Sequence, residues 1–160
     1  MSKVFLITGF QNWGKTFLIH AMFNGRVKYF YNQQYKYSNF DFCVQSQSND
    51  DLGKNSFERI IKKRLLELSK SGVKPSHICA AFCPTKESNN LSDKIIENIF
   101  PEDEVYIIAI EHKWCLHGQL QIQEIQNYYS HLKNVTVHVV SEKDPTKKKA
   151  ALDAVLKPLL

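Results

Sequence analysis

The sequence predicts an α/β protein in which a mainly parallel, five-stranded sheet has helices on both faces. Short apolar runs alternate with amphipathic segments about five times along the 160 residues. That alternation is typical of parallel strands joined by right-handed crossover helices. Hydrophobic residues make up 43% of the chain, which is enough to bury a core. We therefore expect residues 1–160 to form one three-layer domain.

Five apolar runs are the expected strands of the parallel sheet. They span residues 4–8, 40–45, 77–83, 105–110 and 135–140. The third run is bounded by Pro75 and Pro84, which is typical of a short buried strand. Alternating residues at 27–31 predict an additional short edge strand.

The expected helices follow from apolar spacing and from capping residues. The first begins directly after Thr16, and the second is expected to be capped by Ser56. The last is expected to be capped by Asp144, with Pro145 in its first position. The other two expected helices occupy residues 91–100 and 120–132.

One loop has a specific chemical signature. Residues 9–16 fit the pattern G-x-x-x-x-G-K-[ST], with Gly9, Gly14, Lys15 and Thr16 in the four fixed places. An apolar strand precedes the loop and a helical run follows it. Glycines allow turns in which successive backbone N–H groups point inward as an anion nest, and the helix start adds its positive dipole end.

On these residues the sequence resembles the P-loop NTPase superfamily (Walker A motif), with the resemblance covering residues 4–23. It implies the three-layer P-loop NTPase fold and a nucleoside triphosphate bound with Mg²⁺. Lys15 would reach the β- and γ-phosphates, and the Thr16 hydroxyl would bind the metal. The implied nucleotide-binding residues are Gly9, Phe10, Gln11, Asn12, Trp13, Gly14, Lys15, Thr16 and Phe17.

Acidic residues after two strands are candidates for the catalytic carboxylate. Asp50 and Asp51 follow the second strand, and Asp50 is the expected metal-side acid. Residues 50–53 also resemble the D-x-x-G switch of GTPases, although an acidic turn leading into a helix gives the same letters. Glu111 after the fourth strand is the second candidate, with a solvent-facing strand end as the alternative. Together with Lys15, these are the candidate catalytic residues.

The guanine-recognition motif of GTPases, N/T-K-x-D, has no complete counterpart. The two candidate stretches, residues 111–115 and 85–88, lack its aspartate, and no threonine lies between Phe17 and Gly53. ATP is therefore favoured over GTP.

Two further segments have two interpretations each. The Tyr-, Asn- and Gln-rich segment 29–37 is a mobile or base-stacking surface, or an aromatic edge packed on the core, which we favour. The cluster of His112, Cys115 and His117, with Cys83 from a neighbouring loop, offers four zinc-type ligands. Its spacing is unusual for zinc, so loop packing is the favoured interpretation.

Charge and cysteine content limit the partners and the compartment. The formal charge of +5 suits anionic ligands or an acidic partner, but the charges are scattered along the chain and do not indicate nucleic acid. No run has the length of a membrane span, and the start does not resemble a signal peptide. Four cysteines within or beside apolar runs favour a reducing, cytoplasmic compartment.

Three functions remain open at this point. The first is Mg²⁺-dependent nucleotide hydrolysis by an NTPase or nucleotide-driven switch, which breaks a phosphoanhydride bond. The second is a small-molecule or nucleotide kinase, and the third is a non-catalytic nucleotide-binding scaffold. Arginine is scarce, with only Arg26, Arg59 and Arg64, whereas phosphoryl-transfer kinases generally clamp the group with several. An arginine finger would have to come from a protein partner or a second copy.

Overall fold

A single six-stranded sheet organises the chain. The computed structural model describes residues 1–113 and 118–160. The strands are β1 (Lys3–Thr8), β2 (Tyr35–Tyr37), β3 (Phe40–Gln45), β4 (His77–Phe82), β5 (Glu104–Ile110) and β6 (Val135–Val140). The helices are α1 (Lys15–Met22), α2 (Asn49–Leu52), α3 (Lys54–Lys70), α4 (Ser92–Ile99), α5 (Ile122–Tyr129) and α6 (Lys148–Leu156), followed by the 3₁₀ turn Lys157–Leu159. None of these described helices is long and apolar enough to cross a bilayer.

The spatial strand order is β2-β3-β4-β1-β5-β6. Strands β3, β4, β1, β5 and β6 are parallel to one another, which confirms the predicted five-stranded parallel sheet. Strand β2 adds a sixth, antiparallel strand at the β3 edge. The edge strand expected at residues 27–31 is wrong, because that segment is a loop held by Arg64. The Arg64 Nη1 atom donates to the Tyr29 carbonyl oxygen at 2.9 Å.

Two predicted helix starts are also wrong. The helical segment after β3 begins at Asn49 instead of Ser56, because Ser48 and Asp51 form a capping box. At the end of the chain, the Asp144 carboxylate accepts from the N–H of Thr146 at 2.9 Å and from its hydroxyl at 2.8 Å. That local turn delays α6 to Lys148.

The two faces of the sheet are covered by different helices. Helices α1 and α6 pack on one face, and α3, α4 and α5 pack on the other. Side chains of β1 alternate between them, with Phe5 and Ile7 on the first face and Val4 and Leu6 on the second, all fully buried. Full burial of such a side chain contributes about 1.5–3 kcal/mol each, so β1 is a central support of the core.

This arrangement creates a topological switch point at β1. The chain leaves β1 into α1 on one face, whereas it leaves the neighbouring strands β4 and β5 into α4 and α5 on the other. Connections that diverge to opposite faces leave a crevice at the carboxyl edge of the sheet. Residues 9–16, which we call the glycine-rich loop, lie at this crevice.

Candidate functional site

The glycine-rich loop turns through the left-handed backbone region at two residues. Asn12 and Gly14 have φ angles of 64° and 84°, in the left-handed region that glycine and asparagine tolerate best. Among the residues that the structure describes, the backbone N–H groups of Asn12, Gly14 and Thr16 donate to no acceptor. Free N–H donors around a left-handed turn and at a helix start form a nest that suits an anion.

Lys15 lies across the start of the loop. It is only 6% exposed, and its Nζ atom donates to the carbonyl oxygens of Gly9 at 2.7 Å and Phe10 at 3.1 Å. The Asp50 Oδ1 atom lies 3.7 Å from the same nitrogen. The ammonium group is therefore held at the end of the loop nearest Phe10, beside a carboxylate from the β3 side.

The turn after β3 lies against the glycine-rich loop. The Thr16 hydroxyl donates to the Ser46 carbonyl oxygen at 3.0 Å. Asp50 accepts from the Ser48 hydroxyl, and Asp51 lines a cavity of about 300 Å³ with the loop. The structure thus brings Lys15, Thr16 and both predicted aspartates together.

The cavity along the glycine-rich loop contains most of the predicted nucleotide-binding residues. Its walls are Gln11, Asn12, Trp13, Gly14, Lys15, Thr16, Phe17 and Asp51. The donors are a lysine ammonium and backbone N–H groups, which bind phosphate oxygens. The oxygen atoms of Thr16 and Asp51 are of the type that Mg²⁺ prefers. The residues that line this cavity therefore fit a nucleoside triphosphate with Mg²⁺.

Glu111 is placed differently from the aspartates. Its Oε2 atom accepts from Gln119 Nε2 at 3.0 Å and lies 3.4 Å from His112 Nε2. These contacts lie within the segment that follows β5, and Glu111 does not line the cavity along the glycine-rich loop. Instead, that segment supports Trp13, which is 6% exposed and packs with Leu120.

A buried asparagine, which the sequence analysis missed, joins two of the loops. The Asn49 side chain accepts from the Cys83 N–H at 2.7 Å and donates to the Cys83 carbonyl oxygen at 3.1 Å. Asn90 Nδ2 donates to the Asn49 carbonyl oxygen at 3.0 Å. Because Asn49 directly precedes Asp50, this clamp fixes the aspartates relative to the end of β4.

Cys83 is a protonated core thiol at this position. Burial, with a contribution from the nearby Asp50 carboxylate, raises the pKa of Cys83 to about 12. Two of the proposed zinc partners, Cys115 and His117, lie outside the described residues. Within the described part of the chain, no cluster of three metal-ligating side chains occurs.

A second cavity of about 510 Å³ adjoins the glycine-rich loop, and we call it the β4–α5 cavity. It is lined by Phe10, Pro84, Thr85, Lys86, Glu87, Gln119, Leu120, Gln121, Glu124, Ile125 and Tyr128. Lys86 Nζ lies 4.9 Å from the centroid of the Tyr128 ring. This cavity could not be predicted from the sequence, because its walls come from three separate segments.

The arginines lie away from both cavities. Arg64 is buried, and its Nε atom donates to Gln45 Oε1 at 2.7 Å, so it has a structural role. Arg26 lies over the Tyr35 ring at 5.0 Å. Among the described residues, no arginine lines the cavity along the glycine-rich loop or the β4–α5 cavity.

Comparisons with known proteins give one distant structural similarity. No family model matches the chain, and no curated protein matches it. A solved structure of shikimate kinase from Bacteroides thetaiotaomicron is similar over 99% of this chain and 98% of that one, at 10% identity and a TM-score of 0.41. A likeness of this degree carries no argument about ligand or activity, so the site has to be interpreted from its own geometry.

Proposed function

We propose that this protein is a P-loop phosphotransferase that binds a nucleoside triphosphate with Mg²⁺ and transfers its γ-phosphoryl group. The observation that carries the proposal is the glycine-rich loop, in which unpaired backbone N–H groups surround a cavity and the buried Lys15 ammonium lies at one end. Preorganised donors of this kind stabilise the charge of a transferring phosphoryl group.

The metal ligands would come from the two segments that meet at Thr16. The Thr16 hydroxyl and the Asp50 carboxylate, directly or through water, would hold Mg²⁺, which neutralises charge on the phosphate oxygens when bound. Asp51 lines the same cavity and is the alternative acid. ATP remains the favoured nucleotide because the guanine motif is absent from the sequence.

The β4–α5 cavity favours a small organic acceptor over water. The lysine of such a loop reaches the β- and γ-phosphates. In this structure Lys15 Nζ donates a hydrogen bond to the Phe10 carbonyl oxygen. The γ-phosphate would therefore lie near Phe10, which also lines the β4–α5 cavity. A volume of about 510 Å³ is within the range of small-molecule sites. Kinase activity is thus our first candidate.

Hydrolysis, placed first by the sequence alone, is the second candidate. It is favoured by the absence of arginine from both described cavities, because a kinase needs cations to hold the phosphoryl group and exclude water. A partner or a second copy would then supply the arginine finger. A scaffold without activity would bind nucleotide and turn over none of it.

Product analysis distinguishes these candidates. Purified protein is incubated with Mg-ATP, alone and with pools of nucleosides, sugars and amino alcohols. ADP, inorganic phosphate and phosphorylated acceptors are then quantified by chromatography and mass spectrometry. A kinase yields ADP in excess of phosphate and a new phosphorylated compound with one pool. Equal amounts of ADP and phosphate under all conditions would show that the protein is a hydrolase and not a kinase. If Mg-ATP does not bind, the proposal as a whole is overturned.

A further inference from the structure

Two open cavities meet on the surface beside the β2 edge of the sheet. Their volumes are about 600 and 540 Å³, and they share Lys28 and Phe30. We call the surface formed by residues 26–36 and Lys63 the basic aromatic platform. It shares no residue with the cavity along the glycine-rich loop or with the β4–α5 cavity.

The platform has a strong excess of positive charge. Its two cavities are lined by four cationic residues, Arg26, Lys28, Lys36 and Lys63, and by one acidic residue, Glu67. Glu67 is already paired with Lys70 at 2.9 Å. Within the described residues, Arg26, Lys28 and Lys63 have no carboxylate within ion-pair distance, whereas Lys36 is paired with Asp41.

Each unpaired cation of the platform lies over an aromatic ring. Lys28 Nζ is 5.3 Å from the centroid of Phe30, and Lys63 Nζ is 5.0 Å from that of Tyr31. The Arg26 guanidinium is 5.0 Å from the ring of Tyr35. Phe30 is 46% exposed, so part of its ring is accessible to a ligand. Cations and stacking surfaces therefore alternate along the platform.

Hydrogen bonds hold the platform in shape. The guanidinium of the buried Arg64 lies 4.4 Å from the centroid of the Tyr31 ring, the same ring that Lys63 contacts. Arg64 also donates a hydrogen bond to the Tyr29 carbonyl oxygen. The Tyr35 hydroxyl accepts from the backbone N–H of Phe30 at 2.7 Å. Binding would therefore require little ordering of this segment, which lowers its entropic cost.

We propose that the basic aromatic platform binds a single-stranded nucleic acid. Proteins that bind single strands combine a positive groove for the phosphates with aromatic rings on which bases stack. The platform offers both within one surface, with Arg26, Lys28 and Lys63 for phosphates and Phe30 and Tyr31 for bases. The sequence suggested base stacking for residues 29–37 only as the less favoured interpretation, and the fold adds Lys63 of α3 to that segment.

Fluorescence anisotropy with labelled oligo-dT and oligo-U of about 20 nucleotides tests the proposal; this length covers one or more typical sites. Binding is measured over a series of salt concentrations for the wild type, Phe30→Ala and the double variant Lys28→Ala/Lys63→Ala. Lys133→Ala, a change at an exposed lysine outside the platform, is the matched control. All these side chains are on the surface, and circular dichroism verifies that each variant is folded.

The expected pattern separates stacking from simple charge attraction. Phe30→Ala should weaken binding roughly tenfold to a hundredfold, as removal of one stacking ring does. The double lysine variant should lower the salt slope by about 1.4, since each phosphate contact on a single strand contributes about 0.7. Lys133→Ala should bind as the wild type does. The proposal is overturned if neither oligonucleotide binds at low salt, or if polyglutamate binds equally well and Phe30→Ala has no effect, which would indicate an acidic protein partner.

Discussion

Gly9 lies closer to its neighbours than any side chain would allow. A Cβ atom added there would lie 2.9 Å from the Cβ atom of Trp13 and 3.7 Å from Cγ of Lys15. Trp13 cannot rotate its Cβ atom away, and its indole is buried against Leu120. To restore an ordinary contact of 3.4–4 Å, the backbone at Trp13 has to move by about 0.5–1 Å, the difference between the two distances. Because Trp13 lies within the nest, the change Gly9→Ala should displace the phosphate-binding N–H groups.

Both stability and nucleotide affinity should respond to Gly9→Ala. Overpacking of this kind costs about 1–3 kcal/mol, which corresponds to a fall in Tm of roughly 2–12 °C for a chain of this size. A displacement approaching 1 Å can cost up to about a hundredfold in activity, and we expect a loss of ten- to a hundredfold in affinity for Mg-ATP. Thermal unfolding by circular dichroism and isothermal calorimetry measure the two effects.

Gly72→Ala is the matched control for this change. Gly72 has a φ angle of 74°, and a Cβ atom there would meet nothing within 4 Å. The variant should lose about 1–2 kcal/mol through left-handed strain and keep full affinity for nucleotide. If Gly9→Ala binds Mg-ATP like the wild type at an unchanged Tm, the close approach of Gly9 and Trp13 does not shape the nest, and the reasoning fails.

Two further predictions concern the acidic residues and a buried histidine. Asp50→Asn should keep nucleotide binding and lower turnover at least tenfold, whereas Glu111→Gln should retain most of the wild-type turnover. Steady-state assays measure both rates. The reverse ranking would assign the metal-side acid to Glu111, in the segment after β5. Burial lowers the pKa of His77, whose buried Nε2 atom has no hydrogen-bond partner among the residues that the structure describes. The folded state therefore keeps it neutral, while the unfolded chain is protonated below about pH 6.5. Stability should therefore fall as the pH drops from 7 towards 5. His77→Phe, which fits among Phe5, Phe40 and Phe42, should reduce that slope in urea titrations; an unchanged slope would exclude His77 as its source.

The sequence predicted the parts of the fold that depend on local patterns. The last strand, Val135–Val140, is confirmed residue for residue because five of its six residues are β-branched. Helix starts were less predictable, because Ser48 and Asp144 each compete with other capping residues nearby. The edge strand at Tyr35–Tyr37 was missed because its pairing depends on the turn at Ser38, which has a φ angle of 56°.

In the candidate site, too, the features that depend on a local sequence pattern could be predicted, and those that depend on contacts between distant segments could not. The motif of the glycine-rich loop is contiguous, so its residues could be named from sequence alone. The Asn49 clamp, the placement of Glu111 away from the loop and the β4–α5 cavity depend on contacts between segments far apart in the chain. Contacts of this kind cannot be read from the pattern of a single sequence.

The most direct test of the central claim is calorimetric titration of the wild type and of Lys15→Ala with Mg-ATP and with Mg-GTP. Lys15 is the one buried cation on the wall of the cavity along the glycine-rich loop, within the described residues. The account predicts that the wild type binds a triphosphate, with ATP preferred, and that Lys15→Ala loses this binding while it retains the wild-type circular dichroism spectrum. Equal affinity of the folded variant and the wild type would contradict the claim that this loop holds the phosphates.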